Sequence, residues 1–390
     1  MAHLDPYAYA FHEDPYPFYA TLRAEAPVYH NEELGFWALA RHADVFAAFK
    51  DPRRFSNTNG VSIDPASWGP QAKLFSSFLA MDPPQHTRMR GLVARGFTPR
   101  RVAALEPRIR EIAAVHLDGL VGSGGFDVIE DFAGKLPMDV ISEMLGVPEA
   151  DRAVLRTWAD LLVHREEGTQ DVPKEGVEAF GKIRAYFKDL IAERRQRRGD
   201  DLLSALLVAE LDGDRLGEAE LLSFCNLMIV AGNETTTKLI GNALYWLGRN
   251  PDQRALVRDD AGHIPGWVEE TLRYDNSSQI LARLTTEAVE VRGVRVPEGV
   301  PVLLLVGSAN RDEEVFPRPD EFDIRRDCSE MLSFGRGTHF CMGASLARLE
   351  GCVALEEWRK RFAGWEIETE GASRVHSVNV RGFARLPVKV

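Results

Sequence analysis

A chain of 390 residues is long enough for two or three average domains or for one large one. With 45% hydrophobic residues it can bury a substantial core, and a formal charge of −12 argues against nucleic acid as a general partner. Four scattered cysteines with no CxxC pair support neither a disulfide framework nor a structural zinc site. The first residues carry no basic region followed by an apolar run, and no stretch approaches the roughly 20 apolar residues that cross a bilayer. A soluble, cytoplasmic protein with no signal peptide and no membrane contact is expected.

In chain order, residues 17–26 have helical spacing. Two short apolar runs follow, at 28–30 and 36–40, which can pair as strands, and then a second helical pattern at 41–50. From Phe55 to Leu79 the pattern dissolves into Ser, Asn, Gly and Pro around isolated Trp68, Leu74 and Phe78. So long a loop is either a solvated connection or a functional segment. Pro83 and Pro84 suit the first turn of a helix, where missing N–H groups cost little. That helix sets His86 and Arg90 on one face, by themselves an ordinary polar face.

Residues 99–121, 127–145, 151–164 and 176–198 are amphipathic and helical in pattern, the last two joined by the polar stretch 165–174. The basic run Arg194–Arg198 reads as a solvated helix end, where cations are favoured. Residues 216–247 form the longest helical pattern, apolar on nearly every side at its centre, as for a helix through the interior. Ala231-Gly232-Asn233-Glu234-Thr235-Thr236 interrupts it. Such polar groups are costly in a core unless they are satisfied or used. The Thr235 hydroxyl is within reach of the Ala231 carbonyl one turn back, a bond that bends or widens a helix locally. Glu270 and Arg273 form an i,i+3 pair of a kind common on helix surfaces. Residues 279–283 turn strand-like, and β-rich patterns recur at 289–306 and towards the C-terminus.

Between Leu332 and Glu350 a glycine-rich loop, Phe334-Gly335-Arg336-Gly337, runs through His339, Cys341 and Gly343 into a helical pattern. A lone cysteine there is usually a small buried hydrophobe, and Cys225, Cys328 and Cys352 are read that way. At Cys341, however, a helix N-terminus and backbone N–H groups stabilise a thiolate. The ungapped F-G-x-G-x-H-x-C-x-G resembles the haem-binding loop of the cytochrome P-450 family, a standard case of cysteine-thiolate haem ligation. A-G-x-[DE]-T-T at 231–236, H-T-R-x-R at 86–90 and E-x-x-R at 270–273 resemble further segments of that family, in family order across essentially the whole chain.

The resemblance implies a mainly α fold, a triangular helical prism with a smaller β-rich region, as a single domain over residues 1–390. It implies heme b between the long central helix and the helix after the cysteine, with Cys341 as the axial thiolate. His86, Arg90, Arg283 and His339 would take the propionates, Phe334 would shield the sulfur, and Ala231 and Gly343 would complete the surroundings. Glu234 and Thr235 become the catalytic acid–alcohol pair. Glu270 and Arg273, with Arg326 as third partner, become structural.

The 55–79 loop would cover the substrate and the 151–198 helix pair would form a mobile roof. Trp68, Leu74, Phe78, Leu227, Met228, Gln279, Ile280, Leu281, Asn379 and Val380 would line the pocket. Arg165 and Gln279 are the candidates for a polar substrate group. The family's proline after E-x-x-R is replaced here by Asp275-Asn276-Ser277-Ser278, which leaves that loop's path open.

The implied activity is a monooxygenase that inserts one oxygen atom of O2 into an apolar small molecule. A separate ferredoxin and ferredoxin reductase would supply electrons to a monomer. Arg100, Arg101, Arg336 and Arg348 are either a docking patch or scattered solvated charges. Nitric-oxide reduction and peroxide-driven oxidation fit less well, because related enzymes of those kinds alter the acid–threonine pair. A haem-based sensor or carrier has no use for it.

Overall fold

The computed structural model describes residues 3–166, 169–211 and 213–390. Glu167 and Gly168 of the polar connection, and Met1 and Ala2 of the N-terminal stretch, lie outside the described residues. Helices dominate, with a smaller sheet region to one side. The central helix, Glu218–Arg249, is buried around most of its circumference from Leu221 to Leu247. At its start the Glu220 carboxylate accepts the Gly217 backbone N–H at 2.8 Å, satisfying an N-terminal donor. Lys135–Leu145, Glu149–Val163, Lys174–Gln196, Ile264–Tyr274 and Ala344–Arg361 pack against it, so its apolar sides are covered from several directions.

The five-stranded sheet runs in the order Val28–Asn31, Phe36–Leu39, Pro301–Leu305, Ile280–Thr285, Phe55–Ser56. Phe36–Leu39 pairs parallel with Pro301–Leu305, and the other neighbours are antiparallel. Strand alternation divides the sheet between two apolar clusters. Phe36, Ala38, Ile280, Ala282, Leu303 and Leu305 face one. Leu39, Val302 and Leu304 face the other.

Several boundaries differ from the sequence reading. A short helix, Tyr9–Glu13, precedes Tyr16–Glu25. The helix expected over 99–121 divides at Leu105 into Pro99–Ala104 and Glu106–Asp118, because Pro107 cannot donate to a preceding turn and so starts a helix instead. The 127–145 segment begins as a strand, Gly125–Asp127, and passes through a wide turn before Lys135–Leu145. Pro83 and Pro84 stand just before the helix Gln85–Val93, not in its first turn. The 55–79 loop contains the edge strand Phe55–Ser56 and the helix Ala72–Ser76. Val289–Val291 and Val294–Val296 pair through Arg292 and Gly293, both at positive φ, as a tight hairpin turn requires. The basic run is tied into the fold: Arg194 binds Asp201 and Arg195 binds Glu218.

Candidate active site

The loop ahead of Cys341 is shaped by two glycines at positive φ, Gly335 and Gly337. A Cβ on Gly337 would stand 2.8 Å from the Phe49 carbonyl oxygen, so a side chain is excluded there for reasons of space as well as angle. The Cys341 N–H donates to the Phe334 carbonyl at 2.9 Å, closing the loop on itself. The helix Ala344–Arg361 then begins, with Gly343 as its N-cap. Asn310 fixes the other end, accepting the Leu332 N–H at 2.7 Å and donating to Ser333 Oγ at 2.8 Å.

This geometry presents Cys341 Sγ to an internal cavity of about 250 Å³. Burial pushes the thiol's pKa up, while the backbone N–H groups of Gly343 and Ala344 and the charges of Arg90 and Arg348 pull it down. Phe334 lines the cavity beside the sulfur, with the Arg348 guanidinium 4.5 Å from its ring centre.

The facing wall is one stripe of the central helix, including Leu227, Met228, Ala231, Gly232, Thr235 and Thr236. Thr235 Oγ1 donates to the Ala231 carbonyl at 2.9 Å. The α-helix nevertheless runs unbroken through this turn, without the widening the motif suggested.

Cations line one edge. Arg90, Arg283 and His339 reach the cavity, and His86 stands behind His339 with ring centres 4.1 Å apart. Among the described residues neither arginine has a carboxylate partner. Arg283 donates only to the Ala282 carbonyl and Arg90 to that of Phe340. Burial lowers Arg283 to about 10 and Arg90 below its usual range. Burial and the Arg90 charge bring His86 down to about 4. His339 is lowered by burial first and then by Arg283, His86 and Arg90. Among the described residues both ring nitrogens of His86 are without a hydrogen-bond partner, and the His339 ring lies near the Met81 carbonyl without a well-formed hydrogen bond. Buried cations and imidazoles without anions are costly. Two carboxylates on a flat apolar group, with a metal cation over the sulfur, would satisfy this frame together with the thiol, so the residues fit a haem.

The acid of the central motif does not share this cavity. Glu234 lies 3.3 Å from Lys238 Nζ and accepts from Asn233 Nδ2 at 3.2 Å. It faces a second, polar cavity lined also by Arg156, Asp160, His164 and Thr237. Burial opposes its charge, but Lys238 prevails and lowers its pKa, whereas burial and the Glu234 charge raise that of Asp160.

The Glu270–Arg273 pair is fully buried, with two contacts of 2.7 Å. Arg326 Nε approaches Glu270 at 3.2 Å, and the Asn310, Pro319 and Glu321 carbonyls take the remaining Arg273 donors.

Of the expected pocket residues, Phe78, Leu227, Met228 and Leu281 line the main cavity. Ile280 does not: strand alternation turns Leu281 and Arg283 inward and buries Ile280 in the N-terminal cluster. The Gln279 amide donates to the Asn276 carbonyl at 2.9 Å, away from the cavity. Asn379 donates to the Val61 and Ile280 carbonyls, and Val380 bridges to Ser278 and lines a separate small cleft. Trp68 packs on the N-terminal cluster and Leu74 is exposed. Arg165 is buried against Asp64 at 3.0 Å and is not available to a substrate. In the basic patch, Arg348 is paired with Glu269 and Arg336 donates to the Ser329 carbonyl, leaving Arg100 and Arg101 exposed without an ion pair among the described residues.

Several contributors escaped the sequence reading, Phe97 and Ile141 on the apolar wall among them. Ser277 and Ser278 enter the wall from the loop whose path was open. Glu350 sits on the helix after Cys341, 2% exposed, with Oε2 unpartnered among the described residues and its pKa pushed up to about 8 by burial. An acid spaced with Leu346, Val353 and Ala354 on an apolar stripe was the signal available for it.

The family model described as Cytochrome P450 matches residues 170–371. The chain is 53% identical over 388 residues to "Putative cytochrome P450 123" of Mycobacterium tuberculosis, covering 99% of this chain and 96% of that protein. It is 41% identical over 395 residues to "Vitamin D(3) 25-hydroxylase" of Pseudonocardia autotrophica, covering 98% and 96%. The solved structure of cytochrome P450 CYP109Q5 from Chondromyces apiculatus superposes with a TM-score of 0.89 at 39% identity, covering 100% of this chain and 98% of that one.

Proposed function

Because the chain belongs to the cytochrome P450 family, we propose that it oxidises an apolar small molecule with O2, using electrons from a separate ferredoxin and its reductase. It is a haem-thiolate monooxygenase, as its relatives are. One oxygen atom enters a C–H bond and the other leaves as water, consuming two electrons and two protons. The whole chain acts as one catalytic domain and as a monomer. No helix among the described residues is long and apolar enough to cross a membrane.

The observation that carries this reading is the opposition of Cys341 and Thr235 across one cavity edged by unpaired cations. Cys341 would hold the iron, and Arg90, Arg283, His86 and His339 would take the two carboxylates of the haem. Phe334 would shield the sulfur, and Gly343 and Ala231, which line the same cavity, would complete the surroundings. When bound, the haem activates dioxygen, and thiolate ligation favours O–O cleavage over reversible carriage.

Thr235, its hydroxyl anchored on the Ala231 carbonyl, keeps a proton-relaying group on the oxygen side. Glu234 exchanges protons on the polar side of the same turn, beside Asp160. Phe78, Phe97, Ile141, Leu227, Met228 and Leu281 make the wall mostly apolar, which selects a mostly apolar substrate. Cys341→Ser is expected to abolish the thiolate-type spectrum of the ferrous carbon-monoxide complex. Thr235→Ala is expected to divert electrons to hydrogen peroxide, and unchanged coupling in that variant would remove Thr235 from the mechanism.

A further inference from the structure

The loop that replaces the family's proline lies along the central helix and touches it at three points. Asp275 Oδ2 accepts the Trp246 indole N–H at 2.7 Å, the Asp275 carbonyl accepts Asn242 Nδ2 at 2.8 Å, and Ser277 Oγ donates to the Thr235 carbonyl at 2.7 Å. Thr235, Asn242 and Trp246 recur at i, i+7 and i+11 and therefore fall on one stripe of the helix. Residues 275–277 run back along that stripe as a polar splint.

Its far end is firmly held. Asp275 is fully buried, with Arg381 Nε at 2.6 Å, Arg374 Nη1 at 3.2 Å and the Tyr16 hydroxyl at 2.7 Å. The Ser277 carbonyl accepts the Arg381 N–H at 2.8 Å. Ser277 is only 6% exposed, so its hydroxyl does not exchange freely with solvent.

A carbonyl inside a helix uses one lone pair for the N–H four residues on and leaves the other open. At Thr235 that second position is filled by a side chain from outside the helix. The residue so gripped is the one whose own hydroxyl faces the cavity. We propose that Ser277 is a positioning residue for Thr235: its hydrogen bond fixes the backbone of the oxygen-facing turn and thereby the direction of the Thr235 hydroxyl. The proposal rests on Thr235 acting at the oxygen side. Ser277 also lines the cavity, so a ligand that displaces its hydroxyl acts on Thr235 through the same bond.

The test uses the full-length holoenzyme, with carbon monoxide on the reduced haem as the probe. Its infrared stretch reports the polar groups around it. Wild type, Thr235→Ala, Ser277→Ala and Ser277→Thr are compared, together with hydrogen exchange of the amides around 231–239. Thr235→Ala is expected to shift the band. Ser277→Ala is expected to split it into several, with helix exchange faster by about fivefold, the equivalent of one neutral hydrogen bond of ~1 kcal/mol. Ser277→Thr is expected to restore a single band.

A wild-type band in Ser277→Ala beside a shifted band in Thr235→Ala overturns the positioning role and leaves the Thr235 reading intact. A wild-type band in Thr235→Ala overturns the reading beneath both. If Ser277→Ala does not fold, Ser277→Cys keeps the volume, weakens the donor and is judged by the same criteria.

Discussion

Glu234 and Thr235 are consecutive residues that face different cavities. Thr235 looks across at Cys341, while Glu234 looks towards Asp160 and Lys238. The two variants should therefore fail differently. Glu234→Gln keeps the shape of the turn but removes the proton exchanger. It is expected to slow turnover by about 10²-fold, the usual scale of a positioned acid–base group, with little extra hydrogen peroxide. Thr235→Ala is expected to raise peroxide while electron consumption continues. Electron consumption and peroxide yield, measured side by side with a surrogate ferredoxin, separate the two. Identical profiles would contradict the division of labour.

Among the described residues, Arg273→Ala would leave the fully buried Glu270 with Arg326, the Asp323 N–H and the Cys328 thiol for support. Removing one partner of a buried pair costs about 3–5 kcal/mol. The loss should appear as a lower urea midpoint and reduced haem content, because the carbonyls that Arg273 binds include that of Asn310, the residue holding Leu332 and Ser333. Arg326→Ala, which leaves both 2.7 Å contacts in place, should cost less.

If a ferredoxin docks near the cysteine loop, Arg100 and Arg101, the exposed members of the patch, carry most of the attraction, since Arg336 is half-buried on backbone carbonyls and Arg348 is paired with Glu269. Reversing both charges is expected to slow reduction by about tenfold at low ionic strength. The difference should shrink as salt screens it. A reduction rate insensitive to both the reversal and the salt would move the docking face elsewhere.

What the sequence made legible follows how local each cause is. The interior helix, the cysteine loop and the strand pairing declare themselves through periodicity, glycine placement and alternation, all set within a few residues. The same alternation separates Leu281, turned to the cavity, from Ile280, buried in the N-terminal cluster. The Asp275–Ser277 splint was not legible. Its partners, Tyr16, Thr235, Asn242, Trp246, Arg374 and Arg381, come from three distant parts of the chain, and a run of Asp, Asn and Ser looks the same in a solvated turn. The cavity that Glu234 faces was likewise not legible, because part of its lining, Arg156, Asp160 and His164, comes from a distant segment of the chain.

Glu350 is the clearest source of pH dependence in the fold. Burial raises its carboxyl from the ordinary 4.5 to about 8, and among the described residues Oε2 has no partner to offset the loss of water. Between those two values the unfolded chain has released this proton while the folded protein still holds it. The folded state then binds more protons, so stability falls as pH rises across that window and is flat on either side. The full difference of 8 − 4.5 corresponds to a ceiling of about 5 kcal/mol. Glu350→Gln keeps the shape and cannot ionise, so its stability should not show this fall. Urea titration of both holoenzymes at about pH 5.5 and about pH 7.5 should show the variant gaining on wild type at the higher pH. A constant gap between them would mean that Glu350 is ionised in the folded protein and has a counter-ion within the cavity.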